Sequence, residues 1–358
     1  MTRNTTASID LSAVTHNMAR VRTLAPGSLV AAVVKADAYG HGLAHVFPAL
    51  ESADILAVAT VDEARSCREL RWKKRLLMLE GPANPDDLHE AMALGCEQVI
   101  HHASQIKLLR IHPHVAPGRY WLKLDTGMHR LGFPLEQACQ AYAELTELAQ
   151  SPPQVLMSHF ACADDPANPM TDRQIREFDD AVNGLSGPVS LANSAAILNF
   201  PESHRDIVRP GIMLYGASPS PARSATELGI RPVMTLQCDL IAINHVGKGE
   251  TVGYGAEQRC PENMDVGVAA IGYGDGYPRC MKPGSPVLVN GRRAGLIGPV
   301  SMDLITIDLR GHSEAKVGDR VTLWGEGLPV EEVATWADAI PYELVCGVTA
   351  RVRTAVRS

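Results

Sequence analysis

LVAAVVKADAYGHG, residues 29–42, opens with six apolar residues and then breaks at Lys35 into a polar, glycine-bearing turn. A strand with no polar face is buried on both sides, as in a parallel sheet covered by helices. The same rhythm recurs as far as Gly216. DILAVAT (54–60), RLLMLE (75–80), EQVIHH (97–102), RYWLKLD (119–125), QVLMSHF (154–160), PVSLANS (188–194) and DIVRPGIMLYG (206–216) read as further strands. Amphipathic stretches such as VDEARSCRELRW, PDDLHEAMALG, EQACQAYAELTELAQ and DRQIREFDDAVNGL fall between them. Eight strands alternating with helices predict an α/β fold, a (β/α)8 TIM-type barrel over 12–222. An open doubly wound sheet is the alternative. Polar residues gathered at strand C-terminal ends favour the barrel.

The texture changes at SPSPARSAT (218–226), a breaker-rich linker. After it MTLQCDLIAI, DVGVAAIGYG, PVLVNGRRAGLIG, DLITIDL and DRVTLWG read as strands, and Asn290-Gly291 signals a hairpin. Only VEEVATWADAI reads as a helix. Residues 230–358 are therefore expected to form a mostly-β domain, joined by a strand at 7–11 (ASIDL).

Composition narrows the function. The chain has 358 residues, enough for two domains, with 46% hydrophobic and 20% charged residues. Net charge is −7 and no basic tract occurs, which argues against nucleic acid. No run is long and apolar enough for a membrane helix, and MTRNTTASIDL lacks the apolar core of a signal peptide. The sequon Asn4-Thr5-Thr6 is therefore incidental. Eight scattered cysteines without a CxxC pair point away from zinc and disulfides, so no metal and a cytoplasmic setting are expected.

Barrel chemistry sits at strand C-terminal ends. Those ends offer Lys35, Glu80, His101, Lys123, Asp125, His159, Asn193, Ser194 and Arg209. A lysine ending a buried strand is desolvated and becomes a candidate for covalent attachment to a carbonyl cofactor. The alternative is a lysine that snorkels to solvent. Ser194 ends the seventh strand unit, and Arg209-Pro210-Gly211-Ile212 lies in the eighth. Loops after these two strands are a frequent phosphate site. A salt-bridged structural arginine is the alternative for Arg209, and a hydrogen-bonded core histidine for His159. For Lys123, Asp125 and Arg130 an internal ion-pair network outranks direct catalysis. Gly272–Gly276 (GYGDG) reads as a tight turn, because Pro278 follows and no helix opens. A lysine beside a phosphate site leaves a pyridoxal phosphate (PLP) enzyme and a class I aldolase level.

AVVKADAYGHG, KLDTGMHRLGF, SHFA, ANSAA, VRPGIMLYG, VGYGAE, IGYGDGYPR and GPVSMDL, in this order along the whole chain, resemble the alanine racemase family. The resemblance implies pyridoxal 5'-phosphate on Lys35, with Lys35 and Tyr254 as the two catalytic acid/base residues at the substrate Cα. It implies that Tyr39, Ser194, Gly211, Ile212 and Tyr342 hold the phosphate. Arg209 would face the ring nitrogen, and Arg130 the ring oxygen and the substrate carboxylate. His159 would tune Tyr254, while Tyr273, Met302 and Asp303 would shape the substrate end. It further implies a homodimer with a composite active site, alanine as substrate, and a carbamylated Lys123 as in some relatives. Three rivals differ by visible features. A PLP carrier lacks the β domain, a PLP decarboxylase places an acid at the ring nitrogen, and broad-range racemases are often exported.

Overall fold

The computed structural model describes residues 4–115, 117–220 and 222–358. The linker expected at 218–226 includes Pro221, which lies outside the described residues. The chain divides into two compact units. One comprises His16–Ala38 and Gly42–Leu214; the other takes in the residues up to Thr15, Tyr39–His41 and Tyr215–Ser358.

The first strand, β1 (Thr6–Asp10), belongs to the second unit. The other unit is a parallel barrel of β2 (Leu29–Val33), β3 (Ile55–Val58), β4 (Arg75–Met78), β5 (Glu97–Ile100), β6 (Tyr120–Asp125), β8 (Val155–Met157), β9 (Val189–Ser190) and β10 (Ile207–Val208). The two-residue β7 (Phe133–Pro134) adds to β6. Each barrel strand pairs with the next in chain order, and β10 returns to pair with β2. Asp206 N–H donates to the Val189 carbonyl (3.1 Å) and Arg209 N–H to that of Ala192 (2.8 Å), which brings β10 beside β9. Sequential order with a returning last strand excludes the doubly wound alternative.

Local chemistry sets the helices on the barrel. Val61–Glu69 starts with a capping box. The Thr60 hydroxyl accepts from the Glu63 N–H, while the Glu63 carboxylate accepts from the Thr60 N–H. Asn84 caps Pro85–Ala93, and Asn193 caps Ser194–Asn199. At the N-terminal end of the barrel strands Glu97 is 2% exposed. Both its oxygens accept from Arg75 (2.6 and 2.9 Å), and Oε2 also accepts from the Trp121 indole N–H (2.7 Å). This buried acid is fully paired.

The second unit is antiparallel. Its strands are β11 (Met234–Val246), β14 (Met264–Ala269), β15 (Pro286–Val289), β16 (Arg292–Leu296), β17 (Ile305–Asp308) and β18 (Arg320–Trp324). β12 (Thr251–Val252) and β13 (Gln258–Arg259) form a separate hairpin. β11 pairs with both β18 and β14, so the run β14–β17–β16–β15–β18–β11 closes on itself. β1 adds to β11, and β19 (Arg353–Arg357) adds in parallel to β1. Asn290 and Gly291 carry the positive φ values (49° and 78°) of a two-residue hairpin between Val289 and Arg292.

Two expectations need correction. The eighth barrel strand does not run over 206–216. It stops at Val208, because Pro210 has no N–H and the Gly211 and Met213 amides donate to the Ser194 hydroxyl instead of a ladder. A 3-10 turn, Ile212–Tyr215, follows. VEEVATWADAI is also not the sole helix of the β unit. Pro341–Cys346 is a second, started by Pro341 at a position whose amide needs no partner.

Candidate active site

Lys35 stands two residues past the end of β2, after the buried Val34, and is half-buried, so it lies at the rim and does not sink into the barrel. The backbone then turns left-handed for four non-glycine residues: φ is 53° at Ala36, 51° at Asp37, 56° at Ala38 and 54° at Tyr39. Such a turn costs roughly 1–2 kcal/mol per residue. Specific bonds hold it. The Ala36 N–H donates to the Glu63 carboxylate (2.7 Å), and the Gly42 N–H to the Asp37 carbonyl (3.0 Å). The Leu43 N–H donates to the Asp37 side chain (2.7 Å). Four consecutive left-handed residues after a rim lysine mark a candidate functional turn.

Deeper in the same mouth stand Lys123, His159 and Arg209. Arg209 is 4% exposed. It donates to the Ser190 hydroxyl (2.7 Å) and to the carbonyls of Ser158 (2.7 Å) and Leu191 (3.1 Å), with His159 Nδ1 at 3.4 Å. No carboxylate pairs with it among the described residues, so the salt-bridged reading fails. Burial alone pushes its guanidinium down to about 10. Lys123 is pushed down to about 8 by burial, then by the charges of Arg209, Arg130 and Lys35. Burial and the same four cations hold the His159 imidazole well below its usual range, so it is neutral. A neutral imidazole adds no positive charge to this mouth.

The ion-pair network expected for Lys123, Asp125 and Arg130 is absent among the described residues. Asp125 instead accepts from the Gly127 and His129 amides (2.9 and 3.1 Å) and meets His129 Nδ1 at 3.1 Å. Its carboxylate is spent on its own turn. Arg130 is left exposed and Lys123 unpaired. The other strand ends are quieter. Glu80 is exposed, with its carbonyl accepting from His101 Nε2 (2.9 Å), and Asn193 is occupied as a helix cap.

Lys35, Lys123, Arg130 and Arg209 share a mouth in which Asp125 acts on Lys123 but makes no ion pair with any of the four among the described residues, so the excess positive charge suits anions. The Ser194 oxygen accepts from the Gly211 amide at 2.8 Å and from that of Met213 at 3.4 Å, and no acceptor among the described residues takes its proton. It can donate to a phosphate oxygen. A primary amine at the rim and a hydroxyl beside backbone amides fit a phosphorylated aldehyde cofactor.

The β unit carries the remaining residues. Tyr39 is buried there, its ring 4.9 Å from Tyr215 and 6.0 Å from Tyr342. Burial, then Tyr342 and Cys346, raises its phenol, so it stays protonated and can donate. A Cβ on Gly40 would strike the Val345 carbonyl. Tyr254 lies between β12 and β13 and is 75% exposed. Tyr273, Met302 and Asp303 are also exposed. Asp303 pairs with Arg351 (2.5 Å), which also reaches Asp275 (3.4 Å). Gly272–Gly276 is a 3-10 turn closed by the Gly272 amide on Asp275 (2.9 Å).

Sequence reading missed the polar residues that hold this mouth together: Thr126, Ser158, Gln174 and Ser190, all 2% exposed or less. One signal was present. Gln174 occupies the buried stripe Thr171, Gln174, Ile175 and Phe178 of its helix, where an apolar residue belongs.

A parallel barrel with a lysine and further cations at its mouth, followed in the same chain by an antiparallel β unit, defines a two-part class of barrel protein. The family models of the alanine racemase N-terminal domain and C-terminal domain match residues 9–219 and 233–356. The alanine racemase of Nitrosococcus oceani is 49% identical over 97% of each chain. The crystal structure of the biosynthetic alanine racemase from Pseudomonas aeruginosa superposes with a TM-score of 0.97 at 44% identity, covering 99% of this chain and 100% of that one. A further structure, alanine racemase from Bartonella henselae with covalently bound pyridoxal phosphate, shares the fold at 24% identity and a TM-score of 0.89, over 99% of each chain. The chain belongs to the alanine racemase family, isomerases that interconvert L- and D-alanine.

Proposed function

We propose that this chain racemises alanine with pyridoxal 5'-phosphate held covalently on Lys35, using Lys35 and Tyr254 on opposite faces of Cα. The observation that carries this reading is the gathering of Lys123, Arg130 and Arg209 with the rim lysine, none of them in an ion pair among the described residues. When bound, PLP supplies a covalent handle for an amine and an electron sink that acidifies the Cα–H. Ser194, the Gly211 and Ile212 backbone, Tyr39 and Tyr342 hold its phosphate. Arg209 faces the ring nitrogen, where a buried cation opposes protonation. Arg130 takes the substrate carboxylate. Once the amine of the substrate has displaced it, Lys35 would be a free amine that removes or returns the proton on one face, and Tyr254 would do so on the other. His159, neutral, orients the charge of Arg209 toward that tyrosine. Tyr273, Met302 and Asp303 limit the substrate end, which suits alanine and admits serine slowly.

Tyr254 is 75% exposed, and a general base works where water is excluded. We therefore place it in the active site of a partner subunit, in a homodimer with a composite site in the cytoplasm. The barrel domain is taken as 12–222 and the β domain as 230–358. Lys123, an amine with a lowered pKa, attacks CO2 through nitrogen and loses one proton, leaving a carbamate that faces Arg130. The test is to supply PLP and L-alanine and to assay D-alanine against CO2 release, with serine, lysine and arginine in parallel. Racemisation confined to alanine and serine is expected; CO2 release would overturn the reading. Tyr254→Phe should slow the two directions of proton transfer unequally, seen as different losses of solvent-deuterium incorporation into L- and D-alanine. Equal small losses would remove Tyr254 from the two-base scheme.

A further inference from the structure

Behind the Arg209–His159 pair runs a chain of buried polar groups that no step above uses. It starts at Gln174, fully buried on the helix Met170–Ala181. The Gln174 Oε1 accepts from the Ala161 N–H (3.0 Å). Its Nε2 donates to the His159 carbonyl (3.1 Å) and to the Thr126 hydroxyl (2.9 Å). Thr126 Oγ1 lies 2.8 Å from Ser158 Oγ, and the Ser158 hydroxyl donates to the Leu124 carbonyl (2.9 Å). These bonds fix one direction. Gln174 donates to Thr126, Thr126 to Ser158, and Ser158 to the Leu124 backbone. Every proton is used, and the amide can face only one way.

The chain fastens the segment after β8 to the segment after β6, and the site hangs on that segment. The Ser158 carbonyl takes the Arg209 Nη2, and the His159 imidazole meets the same nitrogen. Among the described residues no carboxylate pairs with Arg209, and carbonyls and a hydroxyl set its angle. A shift of Ser158–Ala161 would turn the guanidinium and the imidazole together.

We infer that Gln174, acting through Thr126 and Ser158, is a positioning residue that sets the orientation of Arg209 and His159. The inference rests on the reading that places Arg209 against the cofactor ring. Supporting groups one layer behind a site commonly change rates by about 10- to 100-fold when removed.

The test uses the full-length enzyme reconstituted with PLP. Gln174→Leu and Thr126→Val break the chain at two points, and Thr126→Ser restores the hydroxyl. Phe178→Leu, in the core of the same helix, is the control for lost stability alone. Each variant is measured for kcat and KM with alanine, for the visible absorbance band of the bound cofactor, and for melting temperature. Gln174→Leu and Thr126→Val should each lower kcat about tenfold or more, with KM within about twofold and the band displaced. Thr126→Ser should stay within about twofold of wild type. Phe178→Leu should melt earlier yet keep kcat and the band. Should Gln174→Leu not fold, the Thr126→Val and Thr126→Ser pair decides. Chain-breaking variants that behave like Phe178→Leu, or a Thr126→Ser as impaired as Thr126→Val, overturn the inference. A wild type that racemises alanine without cofactor on Lys35 overturns the cofactor reading as well. An intact wild type with unaffected variants overturns this inference alone.

Discussion

The two ends of the barrel treat buried charge in opposite ways. At the N-terminal ends of the strands Glu97 is enclosed with Arg75 and Trp121, and every oxygen has a donor. At the C-terminal ends Lys123 and Arg209 are also enclosed, yet among the described residues neither has an ion-pair partner; Asp125, the acid that acts on Lys123, is bonded within its own turn. The first arrangement spends its electrostatics on holding the fold. The second keeps its charge uncompensated, at a cost in stability, so that an anionic ligand can supply the missing partner. The same strands thus carry a closed account at one end and an open one at the other.

Substitutions can test that contrast, beginning with the largest effect. Lys35→Ala should abolish the visible band of the bound cofactor and borohydride fixation of it to the protein. It should lower alanine turnover by at least about 10³-fold, some 4 kcal/mol in barrier, with little change in melting. Reducible cofactor elsewhere on the chain would break the assignment. Glu97→Ala should do the reverse. It leaves Arg75 and Trp121 without their buried acceptor, costing about 3–5 kcal/mol in denaturant unfolding, while the surviving folded enzyme keeps its kcat. A large kcat loss there would show that the ends are not separable.

The pH dependence sharpens the contrast further. Lys123 titrates near 8 in the fold and near the ordinary lysine value of about 10.4 when unfolded. Between those values the unfolded chain binds more protons, so stability rises with pH. In CO2-free buffer the advantage of Lys123→Met over wild type should therefore be greatest below pH 8 and vanish toward pH 10.5. A difference flat in pH would mean that Lys123 is not held as a penalised cation. The smallest effect belongs to the strained turn. Ala36 is exposed at φ 53°, where glycine relieves strain but loses more chain entropy. Ala36→Gly should stabilise by less than about 1 kcal/mol. Destabilisation would show that the turn is not strained.

How far sequence reached differs by residue. Apolar runs located β2 to β6, β8 and β9, because burial on both faces leaves a contiguous mark, and the order of Lys35, His159 and Arg209 at strand ends followed. The eighth strand was overread because DIVRPGIMLYG is apolar throughout, and only Pro210 and the distant Ser194 hydroxyl reveal where its ladder stops. Lys35 looked buried from its neighbours but sits at the rim, since it stands two residues past the end of β2, beyond the buried Val34. The fate of Asp125 was hidden too: its partners lie in its own turn, and charge spacing alone suggested Lys123 and Arg130. Gln174 read as one polar residue of an amphipathic helix, yet it lies on the buried stripe.

The β unit closes its ring of strands and leaves β19 as an outer edge, with the sequence Arg-Thr-Ala-Val-Arg over residues 353–357. An unpaired strand edge invites another chain to add to it, and bracketing charges discourage this. Arg357 is further held by Asp10 (3.3 Å) and Glu326 (3.1 Å). Two molecules of this protein therefore have little to gain by merging their sheets. Concentrated solutions are guarded against fibrous growth at that edge, and self-association is left to side-chain surfaces, where recognition can be exact in geometry and reversible.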